Sequence, residues 1–163
     1  MATPKRDPVR AHVIDALTSG HAHAALEDIV KDFPAGLRGA VPTGAPYSAW
    51  QLLEHIRLAQ EDILAFSRNH DGTYKAPKWP DDYWPSAPEP PSAKAWDASV
   101  KAIQKDREAM AALVADPKQD LFTPFPWGEG QTLLREALLI VDHNSYHLGQ
   151  MVVVRRLLGA WSA

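Results

Sequence analysis

The chain has 163 residues, and its 17 Lys and Arg against 20 Asp and Glu leave a net charge of −3; with no basic cluster, a nucleic-acid footprint is not expected. Cysteine is absent, which excludes disulfides, thiolate ligands and a cysteine nucleophile, so any thiol chemistry needs a thiol from outside. No apolar run approaches the ~18 residues of a membrane span, and the opening MATPKRDPVRAHVIDALTSG places Asp and His where a signal peptide needs its apolar region; the expectation is a cytoplasmic protein without a membrane partner.

The length predicts a single domain, residues 1–163, with one core. Four helical stretches are expected. The first runs from Asp7 to Phe33, with Asp7 as cap and Pro8 at the first helical position. Its apolar residues change phase between Val9, Val13, Leu17 and Leu26, Ile29, Val30, Phe33, so a kink or break is predicted at Thr18–Gly20. The second opens with YSAWQLLEH, where Ser48 and Gln51 fit a capping box and Tyr47 and Leu52 a hydrophobic staple. It should end near His70 with Gly72 following, and His55 lies at the edge of its apolar stripe.

Residues 71–92 hold six prolines, too many for a regular element. Tyr74, Trp79, Tyr83 and Trp84 make the stretch too aromatic for a loose linker. The reading is an ordered crossover, long enough at ~3.3 Å per residue to return along a bundle, with Trp79, Tyr83 and Trp84 packed onto it. The third helix carries Trp96, Val100, Ile103, Met110 and Val114 at helical spacing, interrupted by Arg107, which is expected to snorkel at the helix edge. The fourth starts after Thr132 as cap and runs to about Leu158, with Gly159 as stop.

That last helix contains VDHNSYHLGQ. His143 and His147 lie four residues apart, on one face, with Cβ atoms ~5–6 Å apart, so two imidazoles there can serve one ion. The spacing alone leaves other readings open: core histidines bonded to backbone or water, or an exposed face. Two metal motifs are excluded. A zinc-protease helix needs Glu directly after the first His, where this chain has Asn144. Ferritin-like di-iron sites need Glu three residues before His, where this chain has Leu52, Ile140 and Asn144.

WQLLEHIRLAQEDIL followed far downstream by DHNSYHLGQ is similar to the DinB-like superfamily of metalloenzymes. The resemblance covers nearly the whole chain. It implies an all-α fold, a four-helix bundle with the long proline-rich crossover between helices 2 and 3, holding one divalent metal ion on His55, His143 and His147. Three histidines leave positions open for water or substrate, as in catalytic sites. Imidazole does not choose the metal, with Zn, Ni or Fe foremost. Characterised relatives include transferases and isomerases that use mycothiol, bacillithiol or glutathione. The resemblance therefore implies a metal-dependent transferase that activates a low-molecular-weight thiol toward a small electrophilic substrate, in a homodimer. The alternatives are a non-catalytic metal-binding stress or regulatory module and a metal-dependent hydrolase.

Around these residues, Gln150 is the expected partner of His147, and Asp62 either lines the cavity or faces solvent. Arg57 and Arg107 are weak candidates to hold an anionic thiol. Tyr146 and Asp142 project sideways into packing and solvent. His12, His21, His23 and His70 are expected on the surface, since the His21–His23 spacing does not face one ion on a helix.

Overall fold

The computed structural model describes residues 7–19 and 22–161, and among these the fold is all-helical, with a lone β-bridge between Pro124 and Thr132. Five α-helices run in chain order: α1 Pro8–Thr18, α2 Leu26–Val30, α3 Ala49–Ser67, α4 Ala93–Ala115 and α5 Leu133–Leu157. Asp7 caps α1 by accepting from the Val9 N–H, and the chain leaves helix at Ser19 to resume only at Leu26. The predicted break is present and wider than the sequence implied. His21 lies outside the described residues; His12, His23 and His70 are exposed, as expected.

Ser48 and Gln51 form both halves of the capping box on α3. That helix stops at Ser67, three residues short of the expected end, and Gly72 takes φ +70° in the turn beyond. Thr132 caps α5 by accepting from the Arg135 N–H, and Gly159 follows its end with φ +67°, the left-handed conformation that a glycine adopts without strain.

α3 packs against both α4 and α5, and α1 packs against the same two helices. Leu53, Ile56, Trp96, Ile103 and Met151 fill one part of the core, each at most 2% exposed. Val13, Leu17, Met110, Val114 and Ile140 fill the other. Two arginines tie helix ends to this frame. From α1, Arg10 donates at 2.5 Å to the Val114 carbonyl, an orphan acceptor in the last turn of α4, and to the Gln119 carbonyl in the loop beyond. From α5, Arg155 donates to the Ile29 carbonyl at 2.6 Å and holds α2.

Between α3 and α4 the chain forms a single 3-10 turn at Asp81–Tyr83. Two hydroxyls anchor the segment to α3: Tyr74 donates to Asp62 Oδ1 at 2.7 Å and Tyr83 to Oδ2 at 2.6 Å. Trp84 stacks between Tyr47 and His55. Trp79 departs from expectation. It is 68% exposed, with its ring 5.4 Å from that of Tyr83 and reaching the bundle only at its edge, 6.4 Å from the His55 ring. The anchoring makes an expected outcome for limited proteolysis: folded protein resists cutting between Gly72 and Pro91, and Asp62→Ala, which frees both tyrosines, admits it there first.

Candidate metal centre

His55 comes from the middle of α3, and His143 and His147 come from two successive turns of α5. The three rings meet with centroids 4.8 Å apart for His55–His143 and 4.5 Å for each pair involving His147. One donor nitrogen from each lies within 4.8 Å of the other two. His55 and His147 are buried, and His143 is half-buried.

The outer nitrogens of His55 and His147 are committed, while His143 Nδ1 is buried without a hydrogen-bond partner among the described residues. His55 Nδ1 is 2.9 Å from the Tyr83 carbonyl, which only accepts, so that nitrogen carries the proton and Nε2 keeps its lone pair. His147 Nδ1 likewise donates to Gln150 Oε1 at 2.7 Å. Gln150 is thus the partner of His147, as expected from its place one turn on. His143 Nε2 sits 3.1 Å from His55 Nε2. Nitrogens held ~2.0–2.1 Å from one ion stand about 2.8–3.4 Å apart at octahedral to tetrahedral angles. The spacing of these two fits a shared ion.

Electrostatics favour neutral, metal-ready rings. Burial pushes the His55 and His147 pKa values below the ordinary imidazole range. For His143, burial and then the neighbouring His147 and His55 rings push it down to about 4, against a smaller upward pull from the Asn144 side chain. At neutral pH all three present lone pairs and no charge to repel a cation.

The support around the rings was largely invisible in the sequence. Trp84 stacks on His55 at 3.8 Å and 7°, and Tyr47 covers its other face at 4.2 Å. Tyr83 is fixed to α3 at both ends: its carbonyl takes the His55 proton, and its hydroxyl reaches Asp62 seven residues on. Burial and then Asp62 push the Tyr74 and Tyr83 pKa values upward, so both hydroxyls stay protonated donors to the Asp62 side chain. Behind the site, Asn144 donates to Gln60 and Gln60 to the Ile103 carbonyl, each at 2.7 Å, linking α5, α3 and α4. The only advance signal for these contacts was the density of aromatics before Pro85.

The arginines proposed for an anionic thiol are otherwise engaged. Arg57 forks onto Glu54 and reaches Glu61 at 2.8 Å. Arg107 pairs with Glu27 at 2.7 Å, at the helix edge where it was expected. Tyr146 is exposed and sets its ring 5.0 Å from that of His147.

A helical chain that brings three neutral imidazoles together, with converging nitrogens and two of the outer ones anchored, has the donor set of a mononuclear histidine metal centre. A family model described as the DinB superfamily matches residues 18–151, well over half of the chain, and the chain belongs to that superfamily. No curated protein and no solved structure matches it. No helix among the described residues is long and apolar enough to cross a membrane.

Proposed function

We propose that residues 1–163 form one DinB-like four-helix bundle, built on α1, α3, α4 and α5, that holds one divalent ion on His55, His143 and His147 and serves as a metal-dependent transferase for a low-molecular-weight thiol. The observation that carries this is the convergence of three ring nitrogens whose partners across the ring are tied to Tyr83 and Gln150 or buried. Such an ion, when bound, supplies the positive charge that turns a coordinated thiol into a thiolate near neutral pH. The chain supplies the rest. Tyr83 and Gln150 fix ring orientation, and Trp84 shields His55 from solvent on one face.

The charge pattern narrows the cosubstrate. With Arg57 held by Glu54 and Arg107 by Glu27, neither side chain offers a free cation, which favours a thiol of low net charge. The absence of cysteine suits a thiol delivered as cosubstrate, and a cytoplasmic setting would keep that thiol reduced. The experiment is a panel of small thiols against generic electrophiles, run with metal-loaded wild type and with His147→Ala. Conjugation above the variant's level is expected. Equal rates throughout, with metal bound in wild type, would leave a non-catalytic metal-binding module as the function.

A homodimer is part of this reading. Tyr146, Val153 and Leu157 are 65%, 55% and 56% exposed along one side of α5, an apolar stripe that a second copy would cover. Light scattering at micromolar concentration should give twice the 18.0 kDa chain mass, falling to one chain for Val153→Glu. A monomeric wild type would remove this part of the proposal.

A further inference from the structure

Along the groove between α3 and α5, apart from the histidine cluster, lies an open hollow of about 370 Å³. Asp62 lines it from α3 and Glu136 from α5, each seven residues, about 10.5 Å of helix, from His55 and His143. Phe66, Tyr74 and Trp127, all half-buried, give it an aromatic wall. Phe66 and Tyr74 meet edge to face with centroids 5.5 Å apart, and the Trp127 indole donates to the Phe66 carbonyl at 2.9 Å. Gly128 keeps the loop before α5 tight against this wall: a Cβ there would come 2.6 Å from Gln131 Oε1 and 3.2 Å from the Phe66 ring. The rings are therefore set in place by the protein itself.

Charge in the lining is unbalanced. Three acidic residues, Asp62, Glu129 and Glu136, share it with one guanidinium, that of Arg135. Glu136 Oε1 accepts from Arg135 at 2.7 Å, while Oε2 has no hydrogen-bond partner among the described residues. Burial holds the Glu136 carboxyl above the usual carboxylate range in spite of Arg135, and Asp62 pushes it the same way. Each Asp62 oxygen accepts one tyrosine hydroxyl and has a further lone pair to offer. What the hollow lacks is a positive donor. An ammonium group supplies both the charge and the N–H bonds, and the aromatic faces attract a cation in addition. A hydrated divalent ion would meet rings where it needs oxygen ligands. A carboxylate would face three acidic side chains for one arginine.

We infer that this hollow is a binding site for a small organic cation, an ammonium group on an apolar body, held by Glu136 and Asp62 with its charge against the Phe66, Tyr74 and Trp127 rings. The inference does not depend on the metal centre, and its test uses the full chain without added metal. Benzylamine (protonated at neutral pH), benzyl alcohol and benzoate are titrated at fixed ionic strength, followed by NMR of the Trp127 indole N–H and the Ile63 and Leu139 methyls. Benzylamine should saturate, shift these signals, and bind at least about tenfold tighter than benzyl alcohol, the difference expected of one hydrogen bond to a charged group. Benzoate should bind more weakly than either. Glu136→Gln keeps the side-chain shape and should bring benzylamine down to the benzyl alcohol level, and Trp127→Leu should weaken benzylamine severalfold. Should Glu136→Gln fail to fold, the three probes on wild type still decide. Benzyl alcohol binding as tightly as benzylamine would mean that the hollow reads only the ring. Benzoate binding tightest, no saturable binding of any probe, or a folded Glu136→Gln with unchanged benzylamine affinity would equally overturn the assignment.

Discussion

Replacing either α5 histidine by alanine is expected to lower the affinity for a divalent ion by at least about a hundredfold, with helical content unchanged. The ring nitrogens supply the binding energy, and one of three donors lost leaves a two-point site that water completes poorly. Folding should survive, because His143 is half-buried and the neighbouring Ile140, Leu148 and Met151 keep the helix seated. Gln150→Ala should show a smaller loss, about 10–100-fold, since it removes only the group that orients His147. Calorimetric titration with zinc, beside circular dichroism, separates these effects. A Gln150→Ala loss as large as that of the ligands would mean that its role had been misjudged.

The largest effect on stability is expected at Trp96. Its ring is 2% exposed, packs 5.4 Å from Phe33, and carries the Arg38 guanidinium 4.8 Å above it. Trp96→Ala removes that contact area and leaves a cavity beneath a charge that has lost its aromatic face. The cost is about 3–5 kcal/mol, which for a chain of this size lowers the melting temperature by roughly 6–20 °C. Phe122, 61% exposed, is the control; its alanine variant should stay within about 0.5 kcal/mol of wild type. Thermal unfolding followed at 222 nm measures both.

What could be read from the sequence was local. The Asp7, Ser48 and Thr132 caps, the capping box and the glycine after α5 each depend on residues within a turn of one another, and each is present. The break after Thr18 was legible because apolar periodicity loses phase there, and the α5 histidines because i,i+4 spacing is itself a geometry. Their meeting with His55 was legible only through the family resemblance, since nothing local joins residues 88 positions apart.

Contacts that depend on where the connecting segment lands were not legible. The aromatic density of residues 74–84 announced an anchor but not its target, so Trp79, expected to pack, proved exposed, while Tyr74 and Tyr83 share Asp62. The Gln60–Asn144 link was equally hidden, because amides on two different helices carry no sequence signature. Arg57 misled for the same reason. Its Glu54 and Glu61 partners stand three and four residues away, but their hold on it follows from rotamers that packing selects.

The central claim, that His55, His143 and His147 form a metal centre, is tested most directly by elemental mass spectrometry. The protein is purified without a polyhistidine tag, loaded with zinc and dialysed, beside the His143→Ala/His147→Ala double variant. The 3.1 Å contact between His55 and His143 could also be made by a proton shared between the rings, and this measurement separates the two. The metal reading predicts close to one ion per chain in wild type and close to none in the variant. Metal-free wild type, or a double variant that keeps its ion, would contradict it.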